Sequence, residues 1–174
     1  TSSGTTGLQA SRHFVADLEI YKQSFTQTFA YFYGNPGDYC ILALLPGYLE
    51  REGSSLIYMV QELIRQSNDS ESGFFLHDFE KLAKTIESVK KARKKFILIG
   101  VTYALLDFAQ QFKIDLSDGI VMETGGMKGK REEMTRERVQ QELKSAFNLL
   151  EVHSEYGMTE LLSQAYSKGQ GKLG

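Results

Sequence analysis

Apolar residues recur at steps of three or four between Ser11 and Tyr33, at Phe14, Leu18, Tyr21, Phe25, Phe29 and Phe32. That spacing predicts a long amphipathic helix with one core-facing stripe. Gly34-Asn35-Pro36-Gly37-Asp38 predicts a turn, because Gly and Pro supply its special dihedrals. Tyr39 to Leu45 is a near-continuous apolar run closed by Pro46-Gly47, as expected of a strand covered on both faces. Leu56, Met59, Val60, Leu63 and Ile64 mark a second helix, and Gly73 to Leu76 a short strand. Asp78 is placed to cap a helix carrying Phe79, Leu82, Ile86 and Val89, which ends in the cationic run Lys90 to Lys95. Phe96 to Gly100 is a further buried strand, after which Thr102 is expected to cap a helix reaching Phe112. Gly119 to Glu123 predicts a fourth strand, Thr135 the start of a helix through Val139, Leu143 and Phe147, and Leu149 to His153 a fifth strand.

This alternation of doubly covered strands with helices predicts an α/β fold. A mostly parallel sheet would carry helices on both faces, in three αβα layers over one domain spanning 1–174. With 174 residues, 41% of them hydrophobic, a core forms without staples. A net charge of -2 without a basic stripe argues against nucleic acid as a partner. The lone Cys40 excludes an internal disulfide and fits a reducing, cytoplasmic setting; placed in a buried strand, it reads as structural. No apolar run is long enough to span a bilayer. The chain does not open on Met, so it is expected to be a piece of a larger protein.

In a parallel sheet of this kind ligands sit at the carboxyl ends of strands. Three segments are expected there. Ser2-Ser3-Gly4-Thr5-Thr6-Gly7 presents hydroxyls and backbone N–H groups ahead of the first helix, an arrangement suited to phosphates. It is not a Walker loop, having neither the four-residue gap between glycines nor a lysine after the second. Gly125-Gly126 lets backbone approach a flat ring closely, because neither residue has a Cβ. In Glu155-Tyr156-Gly157-Met158-Thr159-Glu160, Tyr156 can stack on that ring, Thr159 can bond a phosphate oxygen and Glu160 can hold Mg²⁺. His13, His77 and His153 show no metal-ligand spacing, although His153 adjoins this segment. Lys128-Gly129-Lys130-Arg131-Glu132-Glu133 reads as a solvated loop, with a lid or partner contact near the nucleotide as the alternative.

Together these segments resemble the adenylate-forming superfamily of acyl-CoA synthetases, peptide-synthetase adenylation domains and luciferases. The stretch His153 to Ser167 looks like the bacterial acyl-protein synthetases (LuxE-like, long-chain-fatty-acid–luciferin-component ligases), with phenylacetate–CoA ligases as more distant relatives. The resemblance implies that the chain is a core fragment of the large N-terminal domain of such an enzyme, without its C-terminal lid domain. It implies ATP and Mg²⁺ as cofactors and a carboxylic acid substrate, activated as an acyl-adenylate and then passed to a thiol. Ser2 through Gly7 would handle the β- and γ-phosphates, Gly125 and Gly126 would line the adenine pocket, and Tyr156, with Gly157 and Met158, would pack on adenine. Thr159 would touch the α-phosphate and Glu160 would bind Mg²⁺. An acyl-acceptor or reductase protein is the implied partner.

Departures from the pattern accompany the match. Leu8-Gln9-Ala10-Ser11-Arg12-His13 follows the first loop where most relatives have a lysine, so either Arg12 substitutes or nothing does. No aspartate follows Asp118 to supply the family's ribose contact, and Lys168 and Lys172 lie too close to the second motif to serve as the lid lysine. Ser154 is a weaker match to the amide or acid that reads adenine. Two alternatives stay open: a CoA ligase of the phenylacetate type, and a non-catalytic nucleotide-binding or interaction module.

Overall fold

The computed structural model describes residues 17–46, 54–127, 129, 131, 132 and 134–169. The hydroxyl-rich segment Ser2 to Gly7 lies outside these residues, as do Phe14, Arg12 and Lys172.

Helix α1, Leu18–Tyr33, is capped by the Asp17 carboxylate, which accepts from the Glu19 N–H. It buries Tyr21, Phe25, Phe29 and Tyr33. The buried stripe is therefore rotated from the expected one: Leu18 is exposed, and Tyr33 is more deeply covered than Phe32. A 3₁₀ turn at Pro36–Asp38 leads into β1, Cys40–Leu44, every residue of which is buried. Helix α2, Ser55–Ser67, leads to the two-residue β2, Gly73–Phe74. Asp78 caps α3, Phe79–Lys91, as its sequence predicts. Strand β3, Phe96–Val101, is again wholly buried and runs directly into α4, Thr102–Gln111. Strand β4 is Ile120–Thr124, and α5, Arg136–Phe147, starts from the expected cap Thr135.

Three expectations are corrected. The N-cap of α4 is Val101, with no side-chain cap, because the Thr102 hydroxyl is drawn to Glu123 and to the Thr124 carbonyl. The fifth strand is not Leu149 to His153. It is β5, His153–Met158, so Glu155 to Met158 lie within a strand rather than in a loop after one. A sixth strand, β6, Ser163–Ser167, follows the 3₁₀ turn Thr159–Leu161 and pairs antiparallel with β5.

The sheet order is β2-β1-β3-β4-β5-β6, with the first five strands parallel. Right-handed crossovers then place α3, α4 and α5 on one face and α2 on the other. Ring contacts agree. Phe79 of α3 and Phe147 of α5 both meet Phe108 of α4, while Tyr21 of α1 stacks on Tyr58 of α2. The architecture is α/β, with a mostly parallel mixed sheet and helices on both faces, compatible with three αβα layers. Connections leave β1 and β3 in opposite directions, so the topological switch point lies between their carboxyl ends, the usual ligand crevice of such sheets. Among the described residues no helix is long and apolar enough to cross a membrane.

Candidate functional site

Strand β4 ends in Thr124, and the chain then turns through Gly125 and Gly126 with φ of 76° and 71°. Non-glycine residues resist that left-handed region, so the pair is required by conformation as well as by space. A Cβ at Gly126 would meet no atom within 4 Å, which leaves an open face beside this turn. The Gly126 N–H donates to Thr102 Oγ1 at 3.2 Å. The same hydroxyl donates to Glu123 Oε2 at 2.8 Å. The other Glu123 oxygen accepts from Ser154 Oγ at 2.7 Å, and Ser154 Oγ accepts from Arg136 Nη2 at 2.9 Å. The ends of β3 and β4, the start of β5 and the first turn of α5 are thus laced by one polar chain. A pocket of about 150 Å³ opens beside it, lined by Thr102, Glu123, Gly126, Met127, Arg136 and Val139 among others. Arg136 Nε is buried there without a hydrogen-bond partner among the described residues.

Strands β4 and β5 pair through Glu123 and Ser154. Counting on by two residues sets Tyr156 level with Gly125, just beyond the end of the ladder. Tyr156 is 53% exposed, so its ring is available to a ligand rather than spent on the core. Gly157 and Met158 complete β5, and Thr159 and Glu160 form the 3₁₀ turn at the tip of the β5–β6 hairpin. Glu160 is exposed. The Ser24 hydroxyl of α1 anchors the base of that turn by donating to the Leu162 carbonyl at 2.7 Å. Gly125, Gly126, Tyr156, Gly157, Met158, Thr159 and Glu160 therefore share the carboxyl edge of adjacent strands. The candidate phosphate segment Ser2 to Gly7 lies outside the described residues.

Several residues of this edge escaped sequence reasoning. Glu123 and Glu155 are acids inside strands, and Thr102 and Arg136 stand at helix starts. For Glu123 the available signal was an acid following the apolar run Ile120 to Met122. Ser154 is committed to Glu123 and Arg136, which argues against its reading a base directly.

His153 begins β5 and so sits away from the carboxyl edge. Its Nδ1 is 3.1 Å from the Tyr33 hydroxyl, and burial depresses its pKa. Lys168 lies over the Phe32 and Tyr33 rings. Cys40 is buried in β1, where desolvation pushes its thiol up to about 11, so it is no nucleophile at neutral pH. Of the Lys128 to Glu133 loop, Arg131 pairs with Asp107 of α4 at 2.8 Å.

No group of three or more metal-ligating side chains occurs among the described residues. A single carboxylate is nonetheless sufficient for Mg²⁺ carried on a nucleotide, where phosphate oxygens and water fill the remaining positions. The chain matches no family model, no curated protein and no solved structure.

Proposed function

We propose that this chain is the nucleotide-handling core of an enzyme that activates a carboxylic acid, of the long-chain fatty type, with ATP and passes the acyl group to a thiol on a protein. The observation that carries the reading is the juxtaposition of the left-handed Gly125-Gly126 turn and the exposed ring of Tyr156 at one level of adjacent parallel strands. A planar base fits between a surface without Cβ atoms and an aromatic face. The motifs Ser2 to Gly7 and Tyr156 to Glu160, which resemble those of adenylate-forming enzymes, support the same reading.

In this reaction a carboxylate oxygen attacks the α-phosphorus of ATP. The bond from that phosphorus to the bridging oxygen breaks and pyrophosphate leaves. A thiolate then attacks the acyl carbonyl and AMP departs. The charge that builds on the leaving pyrophosphate calls for fixed donors and a metal aimed at it. Ser2 to Gly7 and Thr159 would supply donors, and Glu160 would hold Mg²⁺, which neutralises phosphate charge when bound.

Exchange of labelled pyrophosphate into ATP, dependent on a fatty acid and measured on the full-length parent protein, tests the proposal. Absence of exchange with every carboxylic acid tried would overturn it and favour a nucleotide-binding module. Glu160→Gln is expected to slow exchange by about 10²-fold, the scale of losing one preorganised electrostatic contact, with the melting temperature unchanged because the side chain is exposed. Unaltered exchange would remove Glu160 from the site.

A further inference from the structure

Glu155 is buried in the middle of the candidate edge, one residue before Tyr156. One carboxyl oxygen, Oε2, is hydrogen-bonded to the Thr124 hydroxyl at the end of β4. The other, Oε1, accepts from Gln164 Nε2 of β6 at 2.5 Å. None of the ion pairs among the described residues includes Glu155. Acidic side chains act on it from three elements: Glu123 on β4, Tyr21 on α1 and Tyr166 on β6. A carboxylate here would be buried without a counter-charge, a costly state that a group normally avoids by keeping its proton.

The geometry points to Glu155 as a positioning residue whose neutral carboxyl group latches the end of β4 to β6, setting the hairpin that bears Tyr156 and Glu160 against the Gly125-Gly126 turn. Its relevance to ligand binding rests on the nucleotide reading above; the latch itself does not. To the ionised group the Thr124 hydroxyl donates at Oε2; with a proton on Oε2 that hydroxyl turns and accepts instead, while Oε1 still accepts from Gln164. Both oxygens are then satisfied without net charge. Burial raises the proton affinity of Glu155, and Glu123 adds to it, against the opposing pull of the Thr124 and Gln164 hydrogen bonds. The strand leaves no slack around the latch. A Cβ at Gly157 would lie 3.2 Å from Glu155 Oε1 and 3.1 Å from the Gln164 side-chain oxygen.

The latch has a test that needs no ligand. Amide hydrogen exchange of Tyr156 to Met158, corrected for intrinsic rates, is followed from about pH 5 to about pH 9, a range that brackets documented buried glutamates. Wild type is expected to lose protection at these amides by about tenfold or more at the alkaline end, as local opening becomes easier. Glu155→Gln reproduces the neutral acid's donor and acceptor and is expected to hold its protection throughout. Glu155→Ala should be weakly protected at every pH, but the comparison of wild type with Glu155→Gln stands even if that variant fails to fold. Equal pH profiles for wild type and Glu155→Gln, or lower protection in Glu155→Gln at neutral pH, would overturn the latch. Mg-ATP affinity is measured in parallel and should follow protection. Affinity absent in wild type at every pH would count against the nucleotide reading alone. Affinity indifferent to a change in protection would refute the hairpin's positioning role.

Discussion

At Gly126 two demands meet, since the φ of 71° excludes most side chains and the space a Cβ would occupy is open. Gly126→Val separates them. The β-branched side chain strains the turn at a cost of about 1–3 kcal/mol and projects into the open face. If that face receives a planar base, Mg-ATP affinity should fall by more than tenfold, measured by calorimetry, beyond any loss traceable to unfolding at the assay temperature. Retained affinity would mean that the ligand approaches from elsewhere. Tyr156 presents the opposite situation, an aromatic ring that the fold leaves half exposed. The neighbouring Glu155 is hidden although it is the more polar of the two, because it lies level with Thr124, still beside β4, whereas Tyr156 stands beyond the end of that strand.

The elements that hold these residues were legible to unequal degrees. Strands β1 and β3 are buried throughout, so their uninterrupted apolar runs announced a covered parallel core. Caps at Asp78 and Thr135 followed from residue type alone. Strand β5 was misplaced because His153-Ser154-Glu155-Tyr156-Gly157-Met158 has no apolar run. Its inward positions are polar and are satisfied by Glu123, Thr124 and Gln164, partners that only folding brings near. The same disguise hid β6, and it hid Thr102, which looks like a cap and works as a cross-strand tie. That tie makes an element-level prediction. Thr102→Val removes one of the two acceptors of the Gly126 N–H, the Thr124 carbonyl at 3.1 Å being the other, and one donor to the half-buried Glu123. A loss of about 1–3 kcal/mol is expected in denaturant unfolding, whereas Thr102→Ser, which keeps the hydroxyl, should restore most of it. Equal stability of the valine variant would show that water or a rearranged Glu123 replaces the tie.

Across the whole molecule, β5 carries a half-buried and a buried titrating group, His153 and Glu155, whose effects on stability have opposite signs. His153, packed against Tyr33, is desolvated, and the positive Lys168 disfavours its charging further, so its folded pKa lies below the ordinary 6.5. The unfolded chain therefore takes up this proton first, and the stability that His153 contributes is full above 6.5 and is lost as pH falls through the folded value. Glu155 does the reverse. Its folded pKa lies above the ordinary 4.5, so its contribution is full below 4.5 and declines as pH rises towards the folded value. The Glu155 contribution thus falls as pH rises from 4.5, whereas the His153 contribution rises with pH until 6.5, so the two slopes have opposite signs. His153→Gln is expected to expose a falling slope and Glu155→Gln a rising one, each checked by urea titration at several pH values. The groups also differ in what they join: His153 meets α1 through Tyr33, while Glu155 joins β4 to β6. If the two variants gave parallel pH dependences, the assignment of opposite proton preferences to these two residues of one strand would fail, and the pH dependence would have to come from other carboxylates such as Glu62, held at about 2 chiefly by its hydrogen bond from Arg65.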